Sequence, residues 1–166
     1  MINGVALSGK DLFVDLFIKN YKHKCYNWST VDDVKSISMK SFGWDGKKTD
    51  KSRTFLSELK KLWTDFNNGP FNSMVDKIDE SKKISKKIVY FIHCREPKEI
   101  QKFVDRYGEK CVTLLIERDG LEIPSNNSDQ SVLNFDYNYT IKNNGTVPEL
   151  EENVIKFIEK LWRTVV

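Results

Sequence analysis

Apolar positions change period repeatedly along this chain, and the changes mark out its elements. Leu12, Phe13, Leu16 and Phe17 recur at helical spacing, so an amphipathic helix opens just after Gly9. Lys24 to Ser29 suits a short strand, and Val31 to Phe42 reads as a helix broken by Gly43. Arg53 to Phe66 sets Phe55, Leu59, Leu62, Trp63 and Phe66 on one helical face, and Asn67-Asn68-Gly69-Pro70 stops it. Phe71 to Ile84 is a weaker helix. The uninterrupted run Ile88 to Ile92 predicts a central strand buried on both faces. Pro97 to Tyr107 turns Ile100, Phe103, Val104 and Tyr107 inward as a helix, and Cys111 to Ile116 is a second buried strand. Gly120 to Leu133 has no period and is rich in Ser and Asn, which predicts a mobile flap around 119–134. Tyr137 to Ile141 is a last strand, ended by Asn143-Asn144-Gly145. A helix from about Pro148 then carries Leu150, Val154, Phe157, Ile158 and Leu161 on one stripe. Strands alternating with helices predict a three-layer α/β fold, with about five parallel strands and helices on both faces.

Composition narrows the class. The 166 residues suit one domain, 1–166, long enough to bury a core and a cleft. A net charge of +3 is too small to argue for nucleic acid or a membrane surface as partner. Cys25, Cys94 and Cys111 are widely spaced, which predicts reduced thiols with neither disulfides nor zinc. No apolar run approaches membrane-spanning length. The expectation is a cytoplasmic protein, monomer or homodimer.

The densest chemistry stands at the start. Gly4-Val5-Ala6-Leu7-Ser8-Gly9-Lys10-Asp11 fits Gly, four residues, Gly, Lys, and it opens a helix. Glycines let backbone N–H groups turn toward phosphate oxygens, Lys10 adds a positive charge, and the helix aims its positive end at the same anion. Asp11 stands where Ser or Thr is usual. It is either an oxygen ligand for Mg²⁺ or a first-turn acid favoured by the helix dipole. Only Met1, Ile2 and Asn3 precede Gly4, so the first strand is either a short stub beside Ile88–Ile92 or begins upstream of this Met1.

With the order laid out, the chain resembles the deoxynucleoside monophosphate kinases, adenylate-kinase-like P-loop phosphotransferases. The loop Ser8-Gly9-Lys10-Asp11 is similar to that family's Ser-Gly-Lys-Asp, and Trp28 to Lys35 resembles its second strand-to-helix segment. Trp44-Asp45-Gly46-Lys47-Lys48 followed by Arg53 resembles the acceptor side. Arg95, Pro97 and Glu99 match an Arg-x-Pro-x-Glu element, and Phe135 to Gly145 looks like the closing strand with its Asn-Asn-Gly turn. The resemblance implies a P-loop NTPase fold, ATP and Mg²⁺ as cofactors, and a nucleoside monophosphate as phosphoryl acceptor, with deoxynucleotides preferred. Gly4, Val5, Ala6, Leu7, Ser8, Gly9, Lys10, Asp11 and Leu12 would then bind the donor, with Asp11 toward the metal. Lys10, Arg53, Arg95 and Arg118 would act on the transferring group. Asp32, Lys35, Trp44, Lys48, Arg53 and Arg95 would bind the acceptor.

Bland alternatives stand beside these assignments. Arg53, Arg95 and Arg118 suit surface salt bridges, Asp32 a helix cap, Lys35 and Lys48 solvated surface, and Trp44 helix packing. The chain also departs from the family. His93 and Cys94 stand where its central strand ends in Asp, and no Arg or Lys lies between Arg118 and Lys142. A small-molecule kinase of this fold, or a non-catalytic nucleotide-binding or regulatory protein, therefore stays open.

Overall fold

Ile2 and Asn3 form the whole of strand β1, yet they occupy the middle of the sheet. The computed structural model describes residues 1–85, 87–121 and 131–165, with side chains through 161. In chain order the elements are β1 (Ile2–Asn3), α1 (Lys10–Asn20), β2 (Lys24–Ser29), α2 (Asp32–Phe42), α3 (Asp50–Asn67) and α4 (Gly69–Lys82). There follow β3 (Ile88–His93), α5 (Pro97–Tyr107), β4 (Leu114–Glu117), β5 (Tyr139–Lys142) and α6 (Val147–Val165), with 3₁₀ turns at Gly108–Lys110 and Ser131–Asn134. Among the described residues the sheet has five parallel strands in the order β2-β3-β1-β4-β5. Ile2 lies level with His93 on one side and Leu114 on the other, and Asn3 with Leu115. The Leu114 N–H donates to Met1 O at 3.0 Å and the Met1 nitrogen to Val112 O at 2.6 Å. The stub expected beside Ile88–Ile92 is thus present, but β1 holds the central place and β3 lies one strand from the edge. An apolar run reports burial and cannot report order, which is why Ile88–Ile92 read as the centre.

The chain divides into two compact units, one of 1–27 with 87–166 and one of 28–86. In the first, alternate residues of β4 feed opposite layers. Leu114 and Ile116 join Ile2, Phe13, Phe17, Phe91 and Phe157 in a core under α1 and α6. Phe17 meets Phe91 edge-on at 4.8 Å and Phe13 meets Phe157 at 5.7 Å. Leu115 points the other way, onto Val5 and Val132. Helix α5 packs beside the Ser131–Asn134 turn on that side, burying Ile100 and Phe103. Helices therefore cover both faces. Strand order explains it: β1 to β2 runs along the sheet in one direction and β3 to β4 in the other. Right-handed crossovers place two such connections, α1 and α5, on opposite faces.

In the second unit, Thr49 and Ser52 cap α3 reciprocally. Asn68, left-handed at φ +56°, ends that helix and starts α4 without a loop between them. Asp33 of α2 accepts hydrogen bonds from Ser73 and Lys77 of α4. The expected apolar face of α3 is rotated. Lys60 is buried and Trp63 packs where a Cβ on Gly69 would lie, whereas Leu62 is 67% and Phe66 84% exposed. The immediate reversal at Asn68 brings α4 onto the Lys60–Trp63 side, leaving the Leu62–Phe66 edge in solvent. Of the flap expected around 119–134, residues 122–130 lie outside the described residues. Among the described residues no helix is long and apolar enough to cross a membrane.

Burial separates the phenylalanines sharply. Phe17→Ala removes a fully buried ring and should destabilise the fold by about 3–5 kcal/mol. Phe66→Ala should change it by no more than about 0.5 kcal/mol, both read by urea unfolding.

Candidate functional site

The chain leaves β1 at the carboxyl end of the sheet and crosses to α1 through Gly4–Gly9. This is the switch point of the topology, because β1 sends its connection to one face and its neighbour β3 to the other. Each turn of the loop has a local cause. Gly4 has φ +152°, and a Cβ there would lie 2.5 Å from both Ile116 O and Ser8 Oγ. Gly9 has φ +92°, and its Cβ would lie 2.2 Å from Asn143 Nδ2. Leu7 is left-handed at φ +65° with its side chain exposed, a conformation that costs an L residue about 1–2 kcal/mol. Strain of that kind concentrates at functional sites.

Two asparagines fix the ends of the loop. Asn3 Oδ1 accepts from the Gly4 N–H at 2.9 Å, while its Nδ2 donates to Tyr137 Oη at 2.7 Å. Asn143 Nδ2 donates to Ser8 O at 2.9 Å. Inside the loop, Val5 O accepts from the Ser8 N–H at 3.3 Å and from Lys10 Nζ at 3.1 Å. The N–H groups of Val5, Ala6, Leu7 and Gly9 donate to no described residue. Ser8 is wholly buried, and among the described residues its Oγ, packed over Gly4, has no hydrogen-bond partner. Buried hydroxyls are rarely left so, and an orphan in a loop whose N–H groups have no described acceptor marks a candidate place for a polar ligand. The helix behind the loop adds its own positive end, and no side chain caps it. The arrangement suits an anion with several oxygens.

Lys10, Asp11, Arg95 and Arg118 belong to the first unit; Asp32, Lys35, Trp44, Lys48 and Arg53 belong to the second. Asp11 is exposed in the first turn of α1. Arg95 follows β3, and its carbonyl accepts from Asn3 Nδ2 at 3.5 Å. Arg118 follows β4, exposed, with its backbone neighbours pinned by the turn after β5. Glu117 O accepts from the Asn143 N–H at 2.7 Å, and Asp119 and Asn144 exchange two hydrogen bonds of 2.8 and 2.7 Å. In the second unit Asp32 accepts from the Ser29 N–H at 2.7 Å and pairs with Lys35 at 3.4 Å, so these two are matched to each other. Trp44 Nε1 donates to Lys47 O at 3.0 Å, and Lys48 and Arg53 are exposed. Past the end of β3, Cys94 is buried with its thiol 3.6 Å from Glu96 Oε2, and His93 Nε2 lies 2.7 Å from Asn27 Oδ1.

Asn3, Tyr137 and Asn143 were not among the residues expected to serve the loop. The Asn-Asn-Gly ending and a polar Asn in a strand were the signals present. Burial pushes the Tyr137 phenol up to about 12, against the hydrogen bond from Asn3, which acts in the other direction. Among the described residues no group of three or more His, Cys, Asp or Glu is placed to hold a metal ion. No protein-family model matches the chain, and no curated protein matches it.

Loop geometry sets opposite signs for two substitutions. Leu7→Gly should stabilise the protein by about 0.5–1 kcal/mol, since left-handed backbone is relieved and the lost side chain is exposed. Gly9→Ala should destabilise it by more than about 1 kcal/mol, because the methyl displaces the Asn143 amide. Thermal or urea unfolding of both variants checks the pair. Tyr137 gives a pH signature. Its phenol keeps its proton from about pH 10 to about pH 12 in the folded state and loses it from about pH 10 in the unfolded state. Its contribution to stability is therefore complete below pH 10 and lost as pH rises toward 12. Absorbance titration of the phenols should show a late step that Tyr137→Phe removes.

Proposed function

We propose that Gly4–Asp11 is a P-loop, and that the protein transfers the terminal phosphoryl group of ATP to a nucleoside monophosphate. The observation that carries this reading is Lys10, whose ammonium folds back onto Val5 O across a loop whose Val5, Ala6, Leu7 and Gly9 N–H groups donate to no described residue. A lysine held in that way can exchange a carbonyl for a phosphate oxygen with little rearrangement. Val5, Ala6, Leu7 and Gly9 supply the N–H donors, Ser8 Oγ supplies a further polar contact, and the α1 dipole adds to Lys10. These residues fit the anionic tail of a nucleoside triphosphate. Asp11 alone fits a Mg²⁺ that arrives with the nucleotide, since that ion commonly takes one or two carboxylates together with phosphates and water.

Phosphoryl transfer asks for alignment and charge neutralisation more than for covalent chemistry. ATP would supply the phosphoryl group, and a Mg²⁺ held through Asp11 would neutralise phosphate charge. Lys10 and the loop hold the donor end in place. Arg95 is assigned to the acceptor phosphate, which a guanidinium matches bidentately. Arg118 is assigned to the transferring group or to the donor base. Resemblance of sequence favours a deoxynucleotide as acceptor.

A second reading, a nucleotide-binding protein without turnover, is favoured by His93. Its ring is engaged by Asn27 at the end of β3, where kinases of the resembled family carry a carboxylate. Turnover with a panel of ribo- and deoxynucleoside monophosphates, alongside thermal shift with ATP, separates the readings. Phosphorylation of a monophosphate supports the kinase, whereas stabilisation by ATP with no turnover supports the second reading. Turnover only with another small acceptor points to a different kinase of this fold. Lys10→Ala should lower turnover by about 10²-fold or more with the fold intact, as seen when one preorganised charge-stabilising donor is lost. Arg95→Ala should raise KM for the monophosphate more than KM for ATP, by about 1.5–3 kcal/mol. A larger effect on ATP would reverse the assignment of the two pockets.

A further inference from the structure

The turn after the last strand reaches the loop after the first. Asn143 is buried, its backbone N–H is tied to Glu117 O, and its side-chain amide therefore starts from a fixed point. That amide donates to Ser8 O, a carbonyl that can only accept, so it is Nδ2 that faces the loop. We infer that Asn143 is a positioning residue for the donor phosphates, aiming the Gly9 N–H inward by holding the carbonyl of the same peptide.

The geometry follows from the planar trans peptide. In the Ser8–Gly9 unit the C=O and N–H point in opposite directions, so a carbonyl anchored outward commits its N–H to the inside of the loop. Gly9 N–H is among the donors with no described acceptor, as this requires. The close approach also accounts for glycine at position 9, since a Cβ there would lie 2.2 Å from Nδ2. Asn3 acts on the other end in the opposite sense, because it takes the Gly4 N–H for itself. The two amides thus divide the loop donors, one withdrawn and one presented. Through Glu117 the same residue also fixes the backbone just before Arg118, which ties the loop and that arginine to one anchor.

The inference rests on the phosphate-loop reading, and the experiment keeps the two apart. Full-length protein and its Asn143→Leu and Asn143→Ala variants are titrated calorimetrically with tripolyphosphate, ATP and a nucleoside monophosphate. Leu keeps the shape of Asn without a donor or a charge. The Gly9 amide is followed in ¹H–¹⁵N spectra during the tripolyphosphate titration. Expected is wild-type binding of tripolyphosphate with a moving Gly9 resonance. In both variants, affinity for tripolyphosphate and ATP should fall about tenfold or more, the Gly9 resonance should stay still, and monophosphate affinity should hold. A structural staple would lower melting temperature without that split between ligands. Asn143→Leu binding tripolyphosphate within about twofold of wild type overturns the inference and leaves the loop reading standing. Wild-type protein that binds neither tripolyphosphate nor ATP overturns both. If the variants fail to fold, the wild-type spectrum decides: a Gly9 resonance unmoved by bound tripolyphosphate overturns the inference, and a moved one supports it.

Discussion

Ile2 and Asn3 are held from both sides, by β3 through His93 and by β4 through Leu114 and Leu115, and the position of everything at that end of the sheet depends on this pairing. A two-residue strand buries little by itself. Inserted between two longer strands it gains a ladder on each edge, and its direction is set by its neighbours. Because β1 is central, the loop it feeds emerges where connections to the two faces part. That fixes the start of α1, and with it the position of Lys10 at the positive end of the helix dipole.

Above that foundation the loop is shaped by exclusion as much as by attraction. Gly4 and Gly9 leave no space for a methyl group, one against Ile116 O and one against the Asn143 amide. Leu7 takes up a left-handed turn at the exposed tip. The Ser8 hydroxyl and four N–H groups, without a partner among the described residues, are the chemical remainder of that packing. A loop that satisfied its own donors would be more stable and would have nothing to offer an anion.

Much of the fold was legible in sequence wherever local signals set the element. Helix α5 begins at Pro97 and ends before Gly108, and β2 spans Lys24–Ser29, as spacing and breakers imply. The glycine turn that opens α1 was legible for the same reason, since its signal lies within eight neighbouring residues. What escaped was non-local. The centrality of β1 carries no periodicity in two residues. The rotation of α3 was decided by the abrupt turn at Asn68, which brought Lys60 inside and left Phe66 out. The Asn143–Ser8 hydrogen bond joins positions 135 apart in the chain. Nor could spacing reveal that Arg53 belongs to one compact unit and Arg95 to the other.

The register of β1 also orders events during synthesis. Ile2 is made well before its two partners, His93 and Leu114, which lie far downstream. At translation rates of about 5–20 residues per second, the stretch separating Ile2 from Leu114 takes roughly 6 to 22 s to make. Helices α2, α3 and α4 are made within that interval and have mainly local contacts to form, whereas β1 must wait to its end for its ladder to β4. The loop after β1 is thus made before the strands that hold it and is assembled late, by the closing of a long loop of chain, which is the slow step expected of a parallel sheet.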